Sequence, residues 1–390
     1  MPFLSAQRIH DGKHWLPEGT VIEVSHAGEV LFIGTLPPNS FRDLVIFHEG
    51  VLAPGFVNVH CHLELSHLKG VVPEHTNLIP FLETIPQSRN KYTEEQKKTA
   101  RHDAYNELLL NGVVAVGDIA NTTDTLDVRS LDGLHVCTFI ESIGFYAANA
   151  EKSFGYALQS YGAFASQLTG TEQLKQAIVP HAPYSVSSAL FGLIDTHAPD
   201  APISIHNQES EEENKFYRSK EGDVRRLLKT LSIDDTEFIP SGKSSLQSYV
   251  EWLSPSHPFI FVHNTHTSRE DVQFAQQRIA EAYWCLCPNA NQYIENRLPD
   301  IDMLISEGAA ICIGTDSLAS NHQLSVLSEL HTIKQHYPAL SWEALLGWAT
   351  HNGACALQMQ DVVGSIEVGK RPGILQITGL DGVPVVKRVG

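Results

Sequence analysis

Two histidines separated by one residue, His60 and His62, form the sharpest chemical motif of the chain. They follow an apolar stretch at residues 56–59 that is typical of a buried strand. Residues two apart on a strand point to the same side, so both imidazoles can reach one ion. Neutral imidazole nitrogen is a preferred ligand of Zn²⁺ and similar metals. Taken alone, this spacing also fits two unrelated surface histidines, so the motif needs partners elsewhere in the chain.

Three candidate partners stand at the ends of later apolar stretches: His206, His263 and Asp316. A lone histidine in such a place is more often structural than a ligand. Gathered at one face, however, the histidines and the carboxylate make a site for one divalent metal that leaves a position for water. A water held there has its pKa lowered from the bulk value to about 7. The residue types therefore predict metal-assisted hydrolysis.

A scaffold is needed that brings these distant residues to one face. Eight short apolar runs alternate with helical stretches, one of which has a capping box at Thr93 and Gln96. The runs span residues 56–59, 113–116, 136–140, 177–179, 203–205, 259–262, 282–287 and 309–313. Such runs suit parallel strands buried on both faces, and eight strand–helix units predict a (β/α)₈ TIM-type barrel of the α/β class. Functional groups collect at the carboxyl ends of the strands in that fold.

Both ends of the chain differ from the middle, because short β-branched runs and Gly-containing turns dominate them. We therefore predict a small β-sandwich domain built from both termini. Its two parts are residues 1–52 and 351–390, and the metal-dependent barrel spans residues 53–350.

The composition of the chain limits the binding partners and the cellular compartment that can be expected. The chain has 27 Lys and Arg against 45 Asp and Glu, a net charge of −18, which argues against binding to nucleic acid. The sequence contains neither a run of 18 apolar residues nor the features of a signal peptide, so no contact with a membrane is expected. The 6 cysteines are too scattered for a disulfide framework. A cytoplasmic location fits these features.

A set of motifs spread over nearly the whole chain carries a family resemblance. The set comprises Pro54-Gly55-Phe56 before His60-x-His62, Pro180-His181-Ala182-Pro183-Tyr184-Ser185, His206-x-x-Glu209, Val262-His263, Cys287-Pro288-Asn289, Gly314-Thr315-Asp316-Ser317, Asn352-Gly353-Ala354 and Gly364-Ser365-Ile366-Glu367. With these motifs the chain resembles the amidohydrolase superfamily. The similar branch holds guanine, cytosine and S-adenosylhomocysteine deaminases and the triazine chlorohydrolases, which use a mononuclear metal. Residues 371–374 depart from the family's acidic pattern, outside the expected site.

The resemblance implies a role for each matching residue. The metal would be held by His60, His62, His206 and Asp316. His263 would orient the water, and Asp316 would also take a proton from it. Glu209 would protonate the ring nitrogen next to the attacked carbon and carry a proton to the leaving ammonia, which is acid–base work worth about 10²–10⁴-fold in rate. His181 would contact the substrate.

One divalent metal is the expected cofactor, Zn²⁺ first and Fe²⁺ second. Binuclear relatives bridge two metals with a carboxylated lysine that ends the fourth strand. Here the fourth run ends at His181, and the nearest lysine, Lys175, precedes the run. The spacing of Cys285 and Cys287 also differs from the Cys-x-x-Cys signature of the unrelated cytidine-deaminase fold.

We expect a small-molecule substrate, and the residues of the first loop indicate its class. Residues 62–67 and 79–82 are most similar to aminodeoxyfutalosine deaminases of menaquinone biosynthesis, which act on an aminopurine nucleoside. That similarity implies that Glu64 hydrogen-bonds the substrate and that Phe81 lines its pocket. Glu64 could instead support a neighbouring side chain, and Phe81 could simply pack the loop. A homodimer is common among similar enzymes.

Other functions stay open on the sequence alone. Within the class, the substrate could be S-adenosylhomocysteine, methylthioadenosine or guanine, or the reaction could be the dechlorination of a triazine. A protein of another class, a barrel that binds a metal or a small ligand without catalysis, is the remaining alternative. Glu209, His263 and Asp316 together argue against it, because a structural zinc site is closed by four ligands.

Overall fold

The computed structural model describes residues 3–36, 44–167 and 174–390. The strands in these ranges are β1 (Phe3–Ile9), β2 (Val21–Val24), β3 (Val30–Gly34), β4 (Val45–Pro54), β5 (Phe56–Cys61), β6 (Val113–Ala120), β7 (His135–Ser142), β8 (Leu174–Pro180), β9 (Ile203–Asn207), β10 (Pro258–His263), β11 (Glu281–Leu286), β12 (Ala310–Ile313), β13 (Ile374–Thr378) and β14 (Val385–Arg388).

The α-helices of the same ranges lie mainly between the strands of the central part. They are α1 (Leu78–Arg89), α2 (Glu94–Leu110), α3 (Leu126–Arg129), α4 (Ala150–Ala165), α5 (Ser188–His197), α6 (Glu211–Ser219), α7 (Asp223–Thr230), α8 (Ser245–Tyr249), α9 (Arg269–Gln276), α10 (Pro288–Glu295), α11 (Ile301–Ser306), α12 (Val326–His336), α13 (Trp342–Gly347) and α14 (Gly353–Ala356). None of them is both long and apolar enough to cross a membrane.

Strands β5 to β12 form two four-stranded parallel sheets. One sheet has the order β5-β6-β7-β8, and the other has the order β12-β11-β10-β9. Each of the eight predicted runs falls in one of these strands to within one residue. The predicted α/β class with parallel strands is therefore confirmed.

The two parallel sheets approach each other at both outer edges. At one seam the backbone N–H of His206 in β9 donates to the carbonyl of His181, just after β8, at 3.0 Å. At the other seam the N–H of Thr315, after β12, donates to the carbonyl of His60 in β5, also at 3.0 Å. Among the described strands no ladder of paired residues crosses either seam. The closed eight-stranded barrel thus stays a prediction.

The parallel strands are buried because their side chains alternate between two apolar layers. On β10, Phe259 and Phe261 pack in a cluster that includes helix residues such as Leu246. The intervening Ile260 and Val262 pack in a second cluster made largely of strand residues. This is the pattern that gives nearly continuous apolar runs in a sheet covered on both faces. It also makes a rigid base for the side chains at the strand ends.

Helix α2 begins and ends at the predicted signals. The Thr93 hydroxyl accepts from the backbone N–H of Gln96 at 3.2 Å, and the Gln96 side chain accepts from the N–H of Thr93 at 2.8 Å. Asn111 follows the last helical residue, and Gly112 has a φ of +79°, which reverses the chain into β6. The reciprocal cap is worth about 1 kcal/mol.

The ends of the chain pair with each other in one mixed sheet of order β14-β13-β4-β1-β2-β3. Strand β1 runs parallel to β4, and β13 runs antiparallel to it. The two termini therefore share one structure, but the described strands form a single sheet and the predicted β-sandwich is not confirmed. The domain boundaries at residues 52 and 350 stay a prediction, and β4 runs across the first of them.

Candidate metal centre and active site

The predicted ligands lie together at the carboxyl ends of the parallel strands. His60 is in β5 and His206 in β9, whereas His62 and Asp316 follow β5 and β12. The Nε2 atoms of His60 and His62 are 3.1 Å apart, and those of His62 and His206 are 3.3 Å apart. Oδ1 of Asp316 lies 3.5 Å from Nε2 of His60 and 3.4 Å from Nε2 of His62. Four separations between these donor atoms thus lie between 3.1 and 3.5 Å, and His60, His62 and Asp316 form one group of candidate metal ligands.

These separations fit donors that would hold a single divalent ion. Donors about 2.0–2.1 Å from one ion would lie roughly 3–3.4 Å from each other, close to the observed separations. Burial lowers the pKa of His62 to about 3 and also lowers the pKa of His60, so both rings are neutral ligands at pH 7. Burial acts to raise the pKa of Asp316, but the imidazoles of His60 and His62 outweigh it and hold that pKa well below its usual value.

The ring of His206 is held in the orientation a ligand needs. Its Nδ1 lies 2.8 Å from the carbonyl oxygen of His181, which can only accept, so Nδ1 carries the proton. The lone pair of Nε2 therefore faces the cluster, and such partners of a ligating histidine are what fix its tautomer. Oε1 of Glu141 lies 3.3 Å from the same Nδ1. Burial raises the pKa of Glu141 to about 8.

Three residues at or beside the site have a strained backbone. Gln208, His263 and Asp316 have φ angles of +47°, +74° and +56°, in the left-handed region that side chains other than glycine rarely adopt. Each such residue costs about 1–3 kcal/mol and persists only where its surroundings hold it. The Asp316 N–H, for example, donates to the carbonyl of His60 at 3.0 Å.

Glu209 and His263 face each other beside the cluster. Oε1 of Glu209 lies 3.7 Å from Nε2 of His263, whose Nδ1 donates to Oδ1 of Asn291 at 2.9 Å. Burial, reinforced by the charge of Asp316, raises the pKa of Glu209 well above its usual value. A carboxyl group whose pKa is raised holds its proton more readily and can act as a general acid.

The predicted substrate contacts are placed differently from one another. His181 and Phe81 both line the cavity above the cluster. Burial lowers the pKa of His181 to about 4, and its Nδ1 lies 2.8 Å from Oγ of Ser185. Glu64 is fully buried and is not among the lining residues, because its carboxylate is taken up by Arg89 and Thr122. Its placement fits the support of a neighbouring side chain.

Some lining residues were not selected from the sequence. Arg89, Asn121 and Tyr184 line the cavity, as does Glu141. Glu141 directly follows the third apolar run, so its position at a strand end was a usable signal. The residues of α1 that line the cavity could not be identified by a position at a strand end, because they lie on a helix in a connecting segment.

Comparisons with known proteins identify the family of the chain. A model of the Amidohydrolase family matches residues 51–381. An adenosine deaminase of Helicobacter pylori is 27% identical over 336 residues, which cover 83% of this chain and 78% of the relative. An aminodeoxyfutalosine deaminase of Nitratiruptor is 27% identical over 326 residues, which cover 82% of this chain and 77% of the relative.

A solved structure shares the fold. The crystal structure of Helicobacter pylori aminofutalosine deaminase in complex with methylthio-coformycin matches with a TM-score of 0.76 at 21% identity. The match covers 96% of this chain and 91% of that one. Because the family model spans most of its length, the chain belongs to the amidohydrolase family and is a hydrolase that acts on carbon–nitrogen bonds.

Proposed function

We propose that the chain is a metal-dependent hydrolytic deaminase of an aminopurine nucleoside, from which it releases ammonia. The observation that carries the proposal is the buried Glu209 beside His263 and the cluster of metal donors. Hydrolysis of an amino group from an aromatic ring needs a proton donor for the ring nitrogen, and Glu209 is placed to be one. Relatives that are deaminases at 27% identity support this reading.

We assign His60, His62, His206 and Asp316 as the residues that would hold one divalent ion, Zn²⁺ or Fe²⁺. Such an ion supplies Lewis acidity and lowers the pKa of a water from 15.7 to about 7. His263 would orient the attacking water through Nε2, since its Nδ1–H is committed to Asn291. Oδ of Asp316, kept ionised by its imidazole neighbours, accepts the proton that the water gives up.

Glu209 transfers protons to the substrate. Its carboxyl proton moves to the ring nitrogen next to the amino-bearing carbon as the water oxygen bonds to that carbon. The Glu209 carboxylate then takes the remaining proton of the attacking oxygen and passes it to the amino nitrogen, and the carbon–nitrogen bond breaks as ammonia leaves. The proton held by Asp316 returns to Glu209. The ring keeps the oxygen as a carbonyl. His181 contacts the substrate from the cavity wall.

We propose aminodeoxyfutalosine as the substrate, which would place the enzyme in menaquinone biosynthesis. The first-loop segment and the Nitratiruptor relative support this choice, and the Helicobacter relative named for adenosine keeps adenosine as the alternative. The closed barrel, a homodimer and a cytoplasmic location are parts of the same proposal.

The test is a screen for ammonia release by the zinc-loaded protein. The panel contains aminodeoxyfutalosine, adenosine, methylthioadenosine, S-adenosylhomocysteine and guanine, with a chlorotriazine monitored for chloride. Aminodeoxyfutalosine should have the highest kcat/KM. If another aminopurine is preferred, the substrate assignment fails and the class stands, whereas release of chloride without any ammonia would overturn the class.

A further inference from the structure

Among the described residues that line the active-site cavity, Arg89 supplies the single Arg or Lys side chain. It is the last residue of α1, and 22% of its side chain is exposed. A basic residue in the last turn of a helix often does no more than complement the helix dipole. The contacts around Arg89 go further, because they fix a guanidinium at the wall of a cavity.

Glu64 anchors this guanidinium from outside the cavity. Oε1 of Glu64 lies 3.0 Å from Nη2 of Arg89. Oε2 accepts from the N–H of Asn121 at 3.2 Å, and from the N–H and the hydroxyl of Thr122 at 3.2 and 3.0 Å. Oε2 of the buried carboxylate is thus occupied by protein donors, whereas Oε1 contacts Arg89 as an ion pair without a hydrogen bond. The carboxylate positions Arg89 and has little capacity left for a substrate.

Arg89 keeps donors that no described residue uses. A guanidinium has five N–H groups in a planar fork, and Glu64 is its one recorded ion-pair partner within the described ranges. The remaining N–H groups belong to a side chain that lines the cavity. A planar anion, such as a carboxylate, can pair with two of them at once.

Helix α1 also provides the apolar surface next to this cation. Phe81, Ile85 and Arg89 follow each other at intervals of four residues and therefore lie on one face of the helix, with Leu78 and Leu82 beside them. All of them line the cavity. Phe81 precedes Arg89 by eight residues, which is about 12 Å along the helix axis. A ligand along this face would meet apolar side chains first and the guanidinium at the end.

The rest of the cavity disfavours an anion. The ionised carboxylate of Asp316 lines it, and the protein carries a net charge of −18. A carboxylate in this setting depends on the local contact with Arg89, because the surrounding field repels it.

We propose that Arg89 binds a carboxylate on the part of the substrate away from the reacting ring. The enzyme then selects aminopurine nucleosides whose 5′ substituent is apolar and ends in an acid. This inference rests on the proposed deaminase function for the identity of the reacting ring. The selection comes from a charge-assisted pair that a neutral substituent cannot make.

The experiment uses a matched pair of nucleosides. One is 5′-thioadenosine with an S-(3-carboxypropyl) tail, and the other is the corresponding carboxamide. The kcat/KM for ammonia release and the Kd from calorimetry are measured for both with the zinc-loaded protein. The wild type should favour the acid by tenfold or more, since a hydrogen bond to a charged group is worth about that ratio.

Variants assign the preference to the guanidinium. Arg89→Gln should bring the acid-to-amide ratio close to one, mainly through KM, and Arg89→Lys should restore part of it. Glu64→Gln should weaken the preference without abolishing it. Arg278→Gln is the matched control, because its exposed guanidinium is partnered by Glu251 at the surface and the preference should persist.

The outcomes separate this inference from the proposed function. Equal kcat/KM for acid and amide in the wild type, or a preference that survives Arg89→Gln, overturns the role of Arg89 and leaves the deaminase intact. Tighter binding of the acid without release of ammonia, lost in Arg89→Gln, supports Arg89 and overturns the deaminase.

Discussion

Nε2 of His263 and Oε1 of Glu209 face each other at 3.7 Å, although the two residues belong to different strand ends. The opposite ring nitrogen of His263 is committed to Asn291. A buried carboxyl group and an imidazole thus bracket the space beside the metal donors. In the proposed mechanism these are the separate positions of the proton donor and of the group that orients the water.

Glu209→Gln should reduce kcat for ammonia release by about 10²–10⁴-fold, because the amide keeps the size of the side chain but gives up no proton. KM should change little. The matched control is Glu211→Gln, whose exposed side chain lies in the same acidic run and which should keep its turnover within twofold. Full turnover by Glu209→Gln would show that another group protonates the ring.

Removal of the metal should abolish activity and lower the stability of the fold. An ion present at 1,000 times its Kd stabilises the native state by about 4 kcal/mol, so chelation should lower Tm and added Zn²⁺ should restore it. His206→Asn should bind less than the one zinc per chain expected of the wild type. The exposed His26→Asn is the control and should bind a full equivalent. Turnover that persists in a chain shown to be metal-free would refute the metal assignment.

Asp271 should be necessary for the loop that carries Glu209. Its buried carboxylate accepts from the side chains of Gln208 at 2.8 Å, Gln247 at 2.9 Å and Ser244, and from the N–H of Ser268 at 3.1 Å. Asp271→Ala leaves these donors unpaired and should lower the free energy of unfolding by about 3 kcal/mol or more.

The measurement for Asp271→Ala is urea denaturation, together with kcat. Both should fall, because Gln208 holds a φ of +47° next to Glu209 and loses one of the two acceptors of its side-chain amide, keeping Asn214. Asp302→Ala on the exposed face of α11 should change the unfolding free energy by less than about 0.5 kcal/mol. If Asp271→Ala and Asp302→Ala have the same free energy of unfolding, water replaces the hydrogen bonds of the Asp271 carboxylate without loss of stability.

The stability of the protein should depend on pH through Glu213. Burial raises its pKa to about 8, although hydrogen bonds from Ser245 and from the N–H of Gln208 act in the opposite direction. The folded state thus binds this proton more tightly than the unfolded state does. The stabilising contribution is complete below about pH 4.5 and is lost as the pH rises to about 8, at no more than about 1.4 kcal/mol per unit.

Glu213→Gln isolates that contribution, because the amide cannot ionise. Its free energy of unfolding in urea, measured from pH 5 to pH 8.5, should fall less steeply than that of the wild type. The exposed Glu95→Gln should follow the wild-type profile. Parallel profiles for wild type and Glu213→Gln would mean that Glu213 is ionised throughout.

The central fold was predictable because its signals are local. Buried parallel strands give apolar runs, and the cap of α2 lies within four residues, so the eight strands and the start at Thr93 were found. The positions of the predicted ligands followed from one further rule, that functional groups lie at the carboxyl ends of such strands. Asp316 and His206 do lie at strand ends near His62 or His60, and their role as ligands stays a prediction.

What could not be predicted depends on partners distant in sequence. The β-branched runs of the termini predict strands but not whether these strands form one sheet or two. Strand pairing depends on contacts with neighbouring strands, which the local sequence pattern does not identify. The same holds for Glu64, which was expected to contact the substrate. Its placement depends on Arg89 and on the N–H groups of Asn121 and Thr122, three contacts that only the folded chain brings together.

The contact between β5 and the segment after β12 joins two parts of the chain that are synthesised at different times. Asn58 and Thr315 meet there although 257 positions separate them along the chain. A ribosome that adds about 5–20 residues per second needs roughly 13 to 50 seconds to cover that interval. During this time His60 and His62 have left the ribosome without Asp316. The proposed metal centre can therefore form only after residue 316 has been synthesised.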